Sequence, residues 1–107
     1  MGQQVISKPE VSDYITELIN VLYDEEYFGF FESSLEYVDK ILDFILDIPN
    51  QKRKLTHNKR YGKYYCKYKH NSKTTWYIIF DVEDDIYLVS FITNNHSHNY
   101  PIYIVVQ

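Results

Sequence analysis

The groups in this chain that could carry chemistry are four histidines, one cysteine and a run of cations. His96 and His98 sit in the polar stretch Asn94-Asn95-His96-Ser97-His98-Asn99, directly after an apolar run that ends at Thr93. An imidazole titrates near neutral pH, so His96, at the end of that run, is a candidate for proton transfer. The plainer reading is a solvated loop histidine. Tyr100, four residues on, offers a hydroxyl or a ring face. A His-x-His pair also suggests metal. No third ligand stands at a recognisable spacing, so a metal is not expected. Cys66 reads as a small buried hydrophobe in a strand rather than as a nucleophile.

The cations are segregated. Residues 50–73 hold nine bases and no acid: Lys52, Arg53, Lys54, Lys59, Arg60, Lys63, Lys67, Lys69 and Lys73, with His57 and His70 among them. Residues 9–49 hold eleven acids and one base, and residues 74–107 hold four acids and neither Lys nor Arg. The formal net charge of −4 hides this division. Like charges repel unless something uses them, so the basic segment either meets an anionic partner or offsets the acidic helices. Interleaved Tyr64, Tyr65 and Tyr68 suit phosphate contact combined with base stacking. They equally suit a sheet core with the lysines on its wet face.

These groups need elements to hold them. Val5-Ile6 reads as a short first strand. Ser7-Lys8-Pro9-Glu10 reads as a helix start, with Ser7 able to cap and Pro9 in the first turn where its missing N–H costs nothing. Val11, Tyr14, Ile15, Leu18, Ile19 and Leu22 then place one apolar stripe on a helix over about 8–24. A second helix, about 30–48, carries Phe31, Leu35, Val38, Ile41, Leu42, Ile45 and Leu46 as its stripe, and Pro49 stops it. The short joint implies an antiparallel helical hairpin. Residues 50–62 form a basic loop with no clear period. Lys63–His70 alternates as a strand. Thr74–Val82 and Ile86–Thr93 are apolar on both faces, as central strands are. Tyr100–Val106, with Pro101 at its start, could add one more strand. The order is β-α-α-β-β-β: one α+β domain of two antiparallel helices packed on an antiparallel sheet, with an optional C-terminal strand.

Composition bounds the setting. A chain of 107 residues, 45% of them apolar, supports one core without staples. Twelve tyrosines favour sheet, while three Gly and three Pro leave little room for long loops. A lone cysteine points to a reducing compartment. Residues 1–7 lack a basic region followed by an apolar run, and no apolar stretch approaches membrane-spanning length. A cytoplasmic protein with no membrane association is expected.

Three segments sharpen the picture: Tyr27-Phe28-Gly29-Phe30, Thr74-Thr75-Trp76-Tyr77-Ile78-Ile79-Phe80, and the run from Ile86 through Thr93 into Asn94-Asn95-His96. With the element order, they resemble the RelE/ParE toxin superfamily, in a subgroup associated with Bacteroidetes-type bacteria. The resemblance covers about residues 5–98. It implies the toxin of a type II toxin–antitoxin system, with a cognate antitoxin protein as partner. RelE-like members cleave mRNA on the ribosome by metal-free attack of a 2′-hydroxyl on the adjacent phosphate. That chemistry, as the resemblance implies it, needs no metal and no cofactor; it needs cations for the developing charge and groups to move two protons. The resemblance assigns proton transfer to His96 with Tyr100, and charge stabilisation to Lys54 and Arg60. RNA-backbone contacts fall to Lys52, Arg53, His57, Lys59, Lys63, Lys67 and Lys69. The chain departs from the RelE pattern in three respects, its net acidity being one. The usual arginine of the central strand is missing from Trp76-Tyr77-Ile78-Ile79-Phe80, and no base follows Lys73. ParE-like members instead inhibit a protein, DNA gyrase, and a non-enzymatic binding module is the alternative.

Overall fold

The structure, a computed structural model, describes residues 3–24, 31–57, 59–70, 72 and 74–95. The elements follow in the order β1 (Gln4–Ser7), α1 (Pro9–Asp24), α2 (Phe31–Leu46), a short 3-10 turn (Ile48–Asn50), β2 (Lys54–Leu55), β3 (Tyr64–Lys69), β4 (Thr75–Glu83) and β5 (Ile86–Asn94). The class is α+β: two helices and one five-stranded sheet in the order β1-β5-β4-β3-β2.

Helix α1 starts where Pro9 favours it. The amides of Val11 and Ser12 both donate to the Lys8 carbonyl, and Ser7 belongs to β1 rather than to a cap. Pro49 ends α2 and sits in the 3-10 turn that follows. Asp84 takes the β4–β5 turn at φ 56, a left-handed conformation that aspartate tolerates better than most residues. His70 N–H donates to the Thr74 carbonyl at 2.9 Å and closes the β3–β4 turn.

Two expectations need correction. The sheet is mixed, not antiparallel, because β1 runs parallel to β5, from Gln4 opposite Ile86 to Ser7 opposite Val89. The 50–62 loop, expected to be irregular, contains the two-residue strand β2 paired with Tyr64 and Tyr65. The second correction explains the first. If every joint reverses the chain, a first and a sixth element oppose each other, whereas a first and a seventh run alike. Counting β2 makes β5 the seventh. The optional strand 100–106 lies outside the described residues.

The main core lies between the helices and one sheet face. Val11, Ile15 and Leu18 of α1 and Val38, Ile41 and Ile45 of α2 meet Cys66, Trp76, Ile78, Phe80, Tyr87, Val89 and Ile92. The α2 stripe is rotated from its expected position. Leu35 and Leu42 are exposed and Leu46 is 67% exposed, while Tyr37, Phe44 and Ile48 pack on the core. On the opposite face, helix-free among the described residues, a second cluster forms around Tyr65 and Ile79, with Tyr61, Tyr77 and Phe91 against it.

Candidate nucleic-acid interface

Strand pairing fixes what the helix-free face presents. Lys54, Tyr65, Ile79 and Phe91 form one cross-strand row, Lys67, Tyr77 and Thr93 the next, and Lys69 and Thr75 a third. Lys54, Lys67 and Lys69 are exposed, and Tyr77 is half-buried at their side. Cations therefore line the β2–β3 flank of an aromatic surface, with the ring centroids of Tyr65 and Tyr77 6.2 Å apart. Burial, and secondarily Tyr77, raises the pKa of Tyr65, so its hydroxyl stays protonated at neutral pH.

The chain between β2 and β3 folds back over this face as a ridge. Tyr61 stacks on Phe91, with centroids 4.3 Å apart and planes 19° from parallel. Gly62 lies so close to the sheet that an added Cβ would stand 2.7 Å from Cγ2 of Ile79 and 3.1 Å from Oγ of Ser90. The Thr56 hydroxyl donates to the Gly62 carbonyl at 2.7 Å, and the Ser90 hydroxyl donates to the Tyr61 carbonyl. Lys63 N–H donates to Oδ1 of Asp81 at 2.9 Å. Ser90 reaches the ridge because the β4–β5 register slips there. Ile79 faces Phe91 and Phe80 faces Val89, so Ser90 is an extra residue re-aimed by a bulge. The ridge carries Lys59 and Arg60 out to solvent, with the Arg60 guanidinium 5.5 Å from the Tyr61 ring centroid.

The nine bases do not all share this face. Arg53 lies 4.6 Å above the Tyr64 ring, and Lys63 lies 5.5 Å from it. Tyr64 packs on the main core, so these two heads turn to the helix side of the sheet. The Lys52 carbonyl accepts from the Cys66 thiol on that same side, at 3.3 Å. Lys52, His57 and Lys59 are exposed. Lys54, Arg60, Lys67 and Lys69 are thus brought together with the aromatics, whereas Arg53 and Lys63 round the edge. His96, His98, Tyr100 and Lys73 lie outside the described residues.

Cys66 is 2% exposed and its thiol is pushed up to about 11 by burial, with Arg53 working weakly the other way. A thiol held in that form is a packing group, as its strand position suggests. Among the described residues no three His, Cys, Asp or Glu side chains gather in metal-binding geometry, and no helix is long and apolar enough to cross a membrane. His70 belongs to a different cluster on the helix side. Its ring centroid lies 4.1 Å from that of Tyr37 with the planes tilted by 47°, its Nδ1 lies 3.4 Å from the Tyr68 hydroxyl, and the Trp76 indole donates to the Tyr37 hydroxyl at 3.1 Å.

Thr56, Tyr61, Gly62, Ser90 and Phe91 build the ridge, and no motif singles them out. The one visible signal is Gly62, one of three glycines, placed just before a strand. Comparison with family models, with curated proteins and with solved structures finds no match to this chain.

Proposed function

We propose that this chain is the toxin of a type II toxin–antitoxin pair, and that its helix-free sheet face engages mRNA on the ribosome for metal-free cleavage by 2′-hydroxyl attack. The observation that carries this reading is the row pattern, in which Lys54, Lys67 and Lys69 flank Tyr65 and Tyr77 on one face. A single strand of RNA needs cations along its backbone and ring faces for its bases; here the cations stand beside the half-buried ring of Tyr77, and Tyr65, 6% exposed, packs beneath as its support. Lys54 and Arg60 are the cations proposed to hold charge developing on the phosphate. His96, with Tyr100, is proposed to move the protons. The antitoxin that covers a basic surface of this kind would present an acidic segment.

A second reading is favoured by one feature of the same face. Its described rows hold no histidine, and His70 is packed on the other side of the sheet. The second reading is a binding module, in the manner of a ParE-like inhibitor of DNA gyrase. The decisive experiment incubates purified protein with translating ribosomes and end-mapped mRNA, in parallel with a gyrase supercoiling assay. The ribonuclease reading expects cuts that His96→Ala slows by about 100- to 10,000-fold, the usual cost of losing a general acid or base. Uncut mRNA together with blocked supercoiling overturns it in favour of the binder.

A further inference from the structure

The half of the helix-free face beyond the ridge has a different character. Two cross-strand rows cover it, Gln4–Ile86–Glu83 and Ile6–Leu88–Asp81. Ile6 is 44% exposed and Ile86 42% exposed, so two branched aliphatic side chains stand in solvent on adjacent strands. Asp81, Glu83, Asp84 and Asp85 are all exposed beside them, and residues 74–95 contain neither Lys nor Arg. Asp81, Glu83, Asp84, Ile86 and Leu88 line a depression of about 200 Å³. The face is therefore a step. On one side stands a raised, cationic ridge at residues 59–62, and below it lies an acidic and apolar terrace that holds this depression.

A step with opposite charge on its two levels is self-complementary under a two-fold rotation. Turned over and set against itself, the ridge of one copy rests on the terrace of the other, and the reverse contact forms at the same time. This is the requirement for a closed, isologous pair. We propose that two copies of this chain associate in this way. Lys59 and Arg60 of each would lie against Asp81, Glu83 and Asp84 of the other. The terrace isoleucines would be covered by the outer surface of the ridge and by the aliphatic stems of its cations. The occupant is argued from complementarity within one sequence. The chain itself carries Lys59 and Arg60, from its basic segment, on the ridge of the same face that holds an acidic terrace with exposed isoleucines. The proposal does not depend on what the rest of the face binds.

Sedimentation velocity of the full chain over a range of concentrations, at low and at high salt, tests it. The expected result is a monomer–dimer equilibrium that weakens with salt. Glu83→Lys with Asp84→Lys should weaken the dimer by at least about tenfold, and Lys59→Glu with Arg60→Glu should do the same, since each puts like charges opposite one another. All four positions are exposed; Asp84 sits at φ 56, where lysine is strained, so Glu83→Lys alone is measured beside the pair, and circular dichroism checks that every variant folds. An equimolar mixture of the two double variants should dimerise again, because in the mixed pair one contact keeps its native signs and the other has them exchanged. The four-fold variant should pair with itself, because both contacts then have their signs exchanged. A wild-type chain that stays monomeric at low salt overturns the proposal. So does a dimer indifferent to both reversals, or a mixture that fails to recover.

Discussion

At the scale of single residues, the candidate site depends on small groups as much as on cations. Gly62 shows why. A methyl at this position meets Ile79 at 2.7 Å, and Ile79 is fully buried and cannot move aside. Gly62→Ala must lift the ridge or push the sheet, an overpacking cost of about 1–3 kcal/mol. Urea denaturation should show an unfolding free energy lower by that amount, read as a lower midpoint at an unchanged slope, and an unchanged midpoint would mean that the ridge is not seated as described. His70 makes a prediction in pH. Its burial, and secondarily Lys40, lowers its pKa below the ordinary 6.5. The folded state therefore binds fewer protons than the unfolded chain in the window just below pH 6.5. Stability is full above that pH, falls as pH drops from 6.5 toward the lowered folded value, and levels off beneath it. The Tm of the parent should decline across this window more steeply than that of His70→Gln. Parallel curves would show that the Tyr37–Tyr68–His70 packing does not discriminate against the charged ring.

At the scale of elements, much was legible because period and punctuation act locally. Pro9 and Pro49 bracket the helices, and the alternation after Gly62 marks β3. What was not legible depends on distant partners. The α2 apolar residues span more than one face. The sheet beneath chose the flank with Tyr37, Val38, Ile41, Phe44 and Ile45, and left Leu35, Leu42 and Leu46 outside. Leucine count alone points to the other flank, but branched Ile and Val and the aromatic rings fill the space against Phe80 and Tyr68. The two predictions for α2 follow from that rotation. Ile41 is 0% exposed, so Ile41→Ala should cost about 2–5 kcal/mol. Leu46→Ala should stay within about 0.5 kcal/mol, as surface changes usually do. Equal losses at the two positions would refute the orientation of the helix. The site follows the same division. The alternation in β3 shows that Lys67 and Lys69 share a face, but the return of Arg53 and Lys63 to Tyr64 and the seating of the ridge come from β2 pairing and from a bulge. Neither leaves a mark in a single strand's pattern.

At the scale of the whole molecule, the chain keeps its charges apart. The basic flank, the ridge and the acidic terrace occupy successive parts of one sheet face, so a long anionic strand and a second copy of the chain would both use the ridge. This makes the salt dependence of RNA binding informative about where the strand lies. Each phosphate contact to a single strand releases counterions, and log affinity falls with log salt by about 0.7 per contact. If RNA runs along the β2–β3 flank, Lys67→Gln with Lys69→Gln should weaken binding of a short single-stranded RNA and flatten that slope by roughly 1.4, two contacts' worth. Neutralising Glu83 and Asp85, which are exposed beyond the ridge, should leave the slope of monomeric protein unchanged. The same RNA, added to a dimeric sample, should drive it toward monomer, since only the free face can hold a strand and mass action favours the form that binds. Fluorescence anisotropy across a salt series measures the slope, and sedimentation with and without RNA measures the shift. A slope that is the same in parent and double-lysine variant would place the RNA elsewhere. RNA bound to intact dimer would show that the ridge is not shared.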